Sequence, residues 1–114
     1  MTLKQVKGIL EKHSSQFILA FIYGSLARGE QDSYSDVDLI LLRNTQREFF
    51  DRIREIFDLV FELPRADILI YTPDEFEQLV HAEGNFFLKR VMQEAVEIEG
   101  QQKGSGALAE TGGE

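Results

Sequence analysis

Three short strand-like segments constrain this chain more than any other feature: the continuous apolar run at residues 17–23 (FILAFIY), and 36–43 (DVDLILLR) and 67–71 (DILIY), which enter apolar stretches from aspartates. Each is shorter than an ordinary buried helix and rich in aromatic or β-branched residues, so each predicts a strand buried on both faces. Helical signals surround them. Leu3, Val6, Ile9 and Leu10 recur at helical spacing, and Thr2 with Gln5 forms a capping-box pattern, predicting a helix over 3–13. Gly24 ends the first strand. Ser25 then reads as the cap of a short helix through Leu26, Ala27 and Arg28, closed by Gly29.

Residues 30–35 form a polar loop before the second strand. Thr45 with Glu48 predicts a further capping box. It opens a helix bearing Phe49, Phe50, Ile53, Ile56, Phe57 and Val60 on one face and charges on the other, with Pro64 at its end. The Phe49, Phe50 and Phe57 stripe is accordingly expected in the core. After the third strand, Thr72-Pro73-Asp74-Glu75 is a helix start, with an N-cap, a proline at the first position and acids in the first turn. That helix runs to about His81 and Gly84 breaks it. Asn85 caps a last helix over 86–95, and 96–99 suits a short final strand.

The order α-β-α-β-α-β-α-α implies an α/β or α+β domain, a small mixed β-sheet flanked by helices. One domain over residues 1–99 is expected. Residues 100–114, rich in Gly and poor in bulky apolar groups, read as a flexible tail. Helices will cover one sheet face. The other face needs either the last helix or a partner subunit, which makes a homo- or hetero-oligomer an expectation.

Composition removes several function classes. There is no cysteine among 114 residues, which excludes disulfides, thiolate chemistry and Cys-ligated metal sites. His13 and His81 stand far apart and read as helix-end or surface residues, so a metal here would be held by carboxylates, as Mg²⁺, Mn²⁺ and Ca²⁺ prefer. A formal net charge of −8 argues against a nucleic-acid groove. No apolar run suits a signal peptide or approaches the roughly 20 residues of a membrane span. The expectation is a cytoplasmic protein.

The chemistry concentrates around the strand ends. Asp36 and Asp38 lie two apart and so point to one face, while Val37 and Leu39 point to the other. Asp67 opens the third strand. Taken singly, such acids are ordinary solvated strand ends. Two acids entering an apolar strand repel each other and resist burial, and a divalent cation removes both objections. Upstream, Gly24 allows a phosphate close to the backbone and Ser25 adds a hydroxyl. The expected helix start adds free N–H groups. Arg28 offers either a phosphate contact or a salt bridge to a nearby acid. Tyr34 could stack on a base or simply pack, and Ser35 could fix the loop backbone.

Gly24-Ser25, ten intervening residues and Asp36-Val37-Asp38 match the G-S-x₁₀-D-x-D signature of polymerase β-like nucleotidyltransferases. The fuller run GSLARGEQDSYSDVDLILL resembles their minimal, single-domain members, over about residues 3–99. The resemblance implies a nucleotidyltransferase fold and two Mg²⁺ ions held by Asp36, Asp38 and Asp67. Asp67 would stand as the third catalytic carboxylate and help activate an acceptor hydroxyl. Gly24 and Ser25, with Arg28, would bind the phosphates of ATP. It further implies the antitoxin half of a toxin–antitoxin pair, transferring AMP to a HEPN-type toxin partner. Two alternatives stay open: a catalytically weak antitoxin that masks its partner by binding, or an enzyme acting on a small molecule.

Overall fold

The computed structural model describes residues 1–30 and 36–103. Tyr34 and Ser35, and the expected tail beyond Lys103, lie outside the described residues. The helices are α1 (Leu3–Lys12), α2 (Phe57–Glu62), α3 (Pro73–His81) and α4 (Phe86–Glu94). The strands are β1 (Leu19–Tyr23), β2 (Val37–Leu42), β3 (Ala66–Tyr71) and β4 (Val96–Glu99).

The strands form one mixed sheet in the order β3-β2-β1-β4. β1 pairs antiparallel with both β2 and β4, and β2 pairs parallel with β3. The two central strands are the two longest apolar runs, because only central strands are shielded on every side. Alternation along the strands sorts their side chains into two layers. Ala20, Ile22, Leu39, Leu41 and Ile70 pack against Val6 and Leu10 of α1 and Leu59 of α2. Phe21, Ile40 and Leu42 face Phe76 of α3 and Leu88 and Val91 of α4. Both faces are therefore covered from within the chain. Of the two covers left open for the second face, a partner subunit or the last helix, α4 together with α3 supplies it. An open apolar cleft of about 420 Å³ remains on that side, between Phe21, Leu42, Phe76 and Met92.

Local signals decide the helix starts. Thr2 with Gln5 and Thr72 with Glu75 form reciprocal capping boxes, and Asn85 accepts from the Leu88 N–H at 3.2 Å. Among the described residues no helix is long and apolar enough to cross a membrane. Gly100, Gln101 and Gln102 donate backbone hydrogen bonds to Ile18, Ser14 and Phe17, fastening residues 100–102 beside the start of β1.

Two expected helices differ. From Gly24 to Gly29 there are turns and no regular helix. The Arg28 N–H reaches the Gly24 carbonyl at 3.1 Å, and the Glu30 N–H reaches the Ser25 carbonyl at 2.9 Å. Gly24 (φ 79°) and Gly29 (φ 77°) are both left-handed, and the few residues between them cannot nucleate a helix. The second difference follows Thr45. A 3₁₀ helix over Phe49–Ile56 precedes α2, and its first turn has no side-chain cap. Thr45 instead donates its hydroxyl to Glu55 at 3.0 Å.

The buried face is consequently not the aromatic one. Arg52, Ile56, Leu59 and Leu63 point inward, while Phe50, Phe57 and Phe61 are 89%, 51% and 83% exposed. The tighter 3₁₀ winding and the break at Ile56 turn Phe50 and Phe57 of the expected face outward and leave Phe49 half-buried, while Ile56 stays in the core with Ile53 and Val60 packed against it.

Arg52 occupies core space because every branch of its guanidinium is answered. It donates to the Arg47 carbonyl at 3.0 Å, the Ile70 carbonyl at 2.9 Å and both Glu75 oxygens at 2.6 and 2.9 Å. A buried cation survives only with such a partner set.

Candidate active site

The ends of β1, β2 and β3 bring an acidic row together. Tyr23 sits opposite Asp38 across the antiparallel pair, and Asp38 sits opposite Asp67 across the parallel pair. All three lie on the α3/α4 side of the sheet, since Tyr23, Leu69 and Tyr71 pack with that layer. Asp36 lies just before β2 and is exposed. Val37 and Leu39 join the opposite layer, as the alternation requires.

The row is electrostatically crowded. Burial raises the Asp38 carboxyl above the usual carboxylate range, and the charges of Asp67 and Asp36 raise it further. Burial, then Asp38 and Asp67, push the Tyr23 phenol up to about 12, so it stays protonated beside the acids.

The Gly24 backbone lies against Asp38. A Cβ at Gly24 would overlap the Asp38 carboxylate, and its φ of 79° is one that L side chains rarely adopt. Only glycine allows β1 to turn here while its backbone lies against Asp38. The Gly24 N–H, however, donates to Glu94 of α4 at 3.0 Å. Arg28 donates to the same carboxylate at 3.1 and 3.3 Å and pairs with Glu30 at 3.3 Å. Of the two roles open to Arg28, the salt bridge is the one present. The Gly24 N–H first, and then Arg28, hold the Glu94 carboxyl below its ordinary range.

A cleft of about 330 Å³ has Gly24, Arg28 and Asp38 on one side and Phe87, Arg90 and Glu94 on the other. Phe87 meets Tyr23 edge-on at 5.7 Å. Ser25 is half-buried in the turn, outside the cleft lining. Asp67 borders a separate cleft of about 260 Å³ with Phe49, Phe50 and Ile53 along the edge of β3. The structure thus unites Gly24, Arg28 and Asp38 and sets Asp67 beside Asp38, with Asp36 at the rim. Among the described residues no group of three or more His, Asp or Glu is arranged to hold a metal. The donor set is nevertheless all carboxylate oxygen and mutually repelling, the chemistry that suits a hard divalent cation.

Tyr23, Phe87, Arg90 and Glu94 join the site without having been expected from the sequence. Tyr23 carried a signal in its place directly before Gly24. Glu94 carried one in being an acid in the last turn of a helix, where the dipole disfavours negative charge unless another partner answers it.

No curated protein matches the chain. The crystal structure of a Sulfolobus solfataricus protein assigned as a nucleotidyltransferase is similar, with a TM-score of 0.57 and 23% identity, covering 90% of this chain and 84% of the other. A toxin–antitoxin crystal structure with AMP-PNP has a TM-score of 0.54 and 19% identity, covering 87% of this chain and 73% of the other. At these identities the likeness concerns the fold. The family model described as polymerase beta, nucleotidyltransferase, matches residues 4–103, nearly all of the described chain, and this protein therefore belongs to the polymerase β nucleotidyltransferase family.

Proposed function

We propose that this chain is a Mg²⁺-dependent nucleotidyltransferase that moves AMP from ATP to an acceptor hydroxyl on a HEPN-type toxin, acting as its antitoxin in the cytoplasm. The observation that carries the reading is the Asp38–Asp67 pair, side by side in register, with Gly24 pressed against Asp38. Carboxylates adjoining a close-approach backbone turn and an arginine are what phosphoryl transfer requires. The toxin–antitoxin neighbour with AMP-PNP supports a protein partner and an adenine nucleotide.

In this reading Asp36, Asp38 and Asp67 hold two Mg²⁺ ions, which when bound neutralise triphosphate charge and polarise the reacting phosphorus. Gly24 and Ser25, with Arg28, bind the outer phosphates. The acceptor hydroxyl oxygen attacks the α-phosphorus. The bond from that phosphorus to the bridging oxygen breaks, and pyrophosphate leaves. Asp67 receives the hydroxyl proton.

The test is calorimetric titration of ATP with Mg²⁺ into the wild type and into Asp36→Asn/Asp38→Asn, followed by transfer of labelled AMP to the partner. Binding abolished by the double change is the expected result. A double variant that binds ATP as well as the wild type overturns the site.

One observation favours a second reading, in which the chain neutralises its partner by masking it. Glu94 already occupies the Gly24 N–H and Arg28. Undiminished neutralisation by Asp36→Asn/Asp38→Asn would select that reading.

A further inference from the structure

The contact between α4 and the turn after β1 joins residues 70 positions apart, and it brings a carboxylate to the groups that the nucleotidyltransferase reading reserves for phosphate. One Glu94 oxygen accepts from the Gly24 N–H at 3.0 Å, and both accept from Arg28 at 3.1 and 3.3 Å. A backbone N–H and a guanidinium converging on one anionic group form the donor set that phosphate oxygens use. Arg90 lines the same cleft one helical turn before Glu94, and the Glu94 side chain is only 21% exposed.

We propose that α4 is a working part of the nucleotide site and that Glu94 is its internal anion, holding the phosphate position until a phosphate displaces it. This rests on the nucleotidyltransferase reading and adds to it a residue that sets affinity. The reasoning is one of charge. Asp38 and Glu94 line a cleft whose cations are Arg28 and Arg90, and Asp67 stands beside Asp38 in the neighbouring strand. A polyphosphate cannot share the Gly24 N–H with a carboxylate, because each backbone donor serves one strong acceptor and the two anions repel. Entry therefore requires Glu94 to swing away, which leaves Arg28 and Arg90 facing the phosphate. Glu94 then weakens binding while stabilising the empty turn. A residue that merely braced the cradle would do the reverse.

The experiment uses the full chain as wild type, Glu94→Ala and Glu94→Gln, with inorganic pyrophosphate and Mg²⁺ as the probe. Affinity is read by calorimetry, and occupancy by the Gly24 amide resonance. Glu94→Ala is expected to bind pyrophosphate about tenfold more tightly, the effect of removing one charge-assisted competitor. Its melting temperature without ligand should fall. Glu94→Gln, which keeps the shape and loses the charge, should bind with intermediate affinity, and it serves if the alanine variant folds poorly. Pyrophosphate binding equal to or weaker than that of the wild type in both variants overturns the inference and makes Glu94 a brace. This outcome does not depend on AMP transfer. The catalytic reading fails separately, if the wild type moves no AMP while the Glu94 variants still gain pyrophosphate affinity.

Discussion

Gly24 carries more of the site than any other single residue, because three requirements meet on it. It turns the chain at positive φ, it leaves room for the Asp38 carboxylate, and its N–H faces an anion. A methyl group there violates the first two together. Gly24→Ala is expected to cost about 2 kcal/mol, more than the roughly 1 kcal/mol of a left-handed alanine alone, since Asp38 must also shift. Urea denaturation checks the stability, and ATP titration of the same variant should show lost binding. Asp38 and Asp67 are a different kind of residue. Their proximity raises the energy of the empty protein, which is the usual mark of a site arranged for a ligand of opposite charge.

Among the elements, the Phe49–Ile56 segment and α3 are joined by the Arg52–Glu75 pair. Arg52 is 6% exposed, and its hydrogen bonds to Glu75 hold that carboxyl down to about 2, from an ordinary value of 4.5. A carboxyl depressed in the folded state stabilises above its unfolded pKa, and that stabilisation is lost as pH falls toward the folded value. Thermal stability should therefore drop as pH falls from about 4.5 to about 2, and Glu75→Gln should flatten that part of the profile. Arg52→Ala, which leaves the Ile70 carbonyl and Glu75 without their donor, should cost about 3 kcal/mol at neutral pH. Calorimetric melts of both variants across pH measure this. The same elements show where periodicity misled. Thr45 and Glu48 have the right spacing for a capping box, but Thr45 is drawn to Glu55 and the helix begins as 3₁₀. Thr72 and Glu75, with the same spacing and a proline between them at the expected helix start, do form a box, at 3.0 and 3.2 Å.

At the scale of the whole molecule, the sheet is sandwiched between two helical layers, and its remaining apolar exposure lies on the helices. Phe50, Phe57 and Phe61 face outward beside Leu59, which is fully buried. Exchanging Phe61 for Ser should change stability by no more than about 0.5 kcal/mol, whereas Leu59→Ala should cost about 3 kcal/mol. Guanidinium unfolding of the two variants side by side tests which face of this segment is the core. A large loss in Phe61→Ser would place Phe61 in the interior and overturn this assignment of the faces.

What the sequence determined by itself is what neighbours within a few residues control. The four strands, one of the two expected capping boxes, the helix start at Thr72 and the Asn85 cap were legible because periodicity and caps act over one or two turns. The direction of Asp38, opposite to that of Val37 and Leu39, was legible because alternation along a strand leaves no choice. The spacing from Gly24 to Asp38 was legible as a family signature for the same reason of short range. The tertiary structure alone decided which face of residues 49–62 turns inward, because 3₁₀ and α windings place the same letters at different angles. It also decided that Arg52 is buried, since Glu75 and the Ile70 carbonyl reach it only after β3 and α3 have docked. And it placed the Glu94 carboxylate on Gly24, a meeting across 70 residues that no local pattern encodes and that packing α4 onto the sheet brings about.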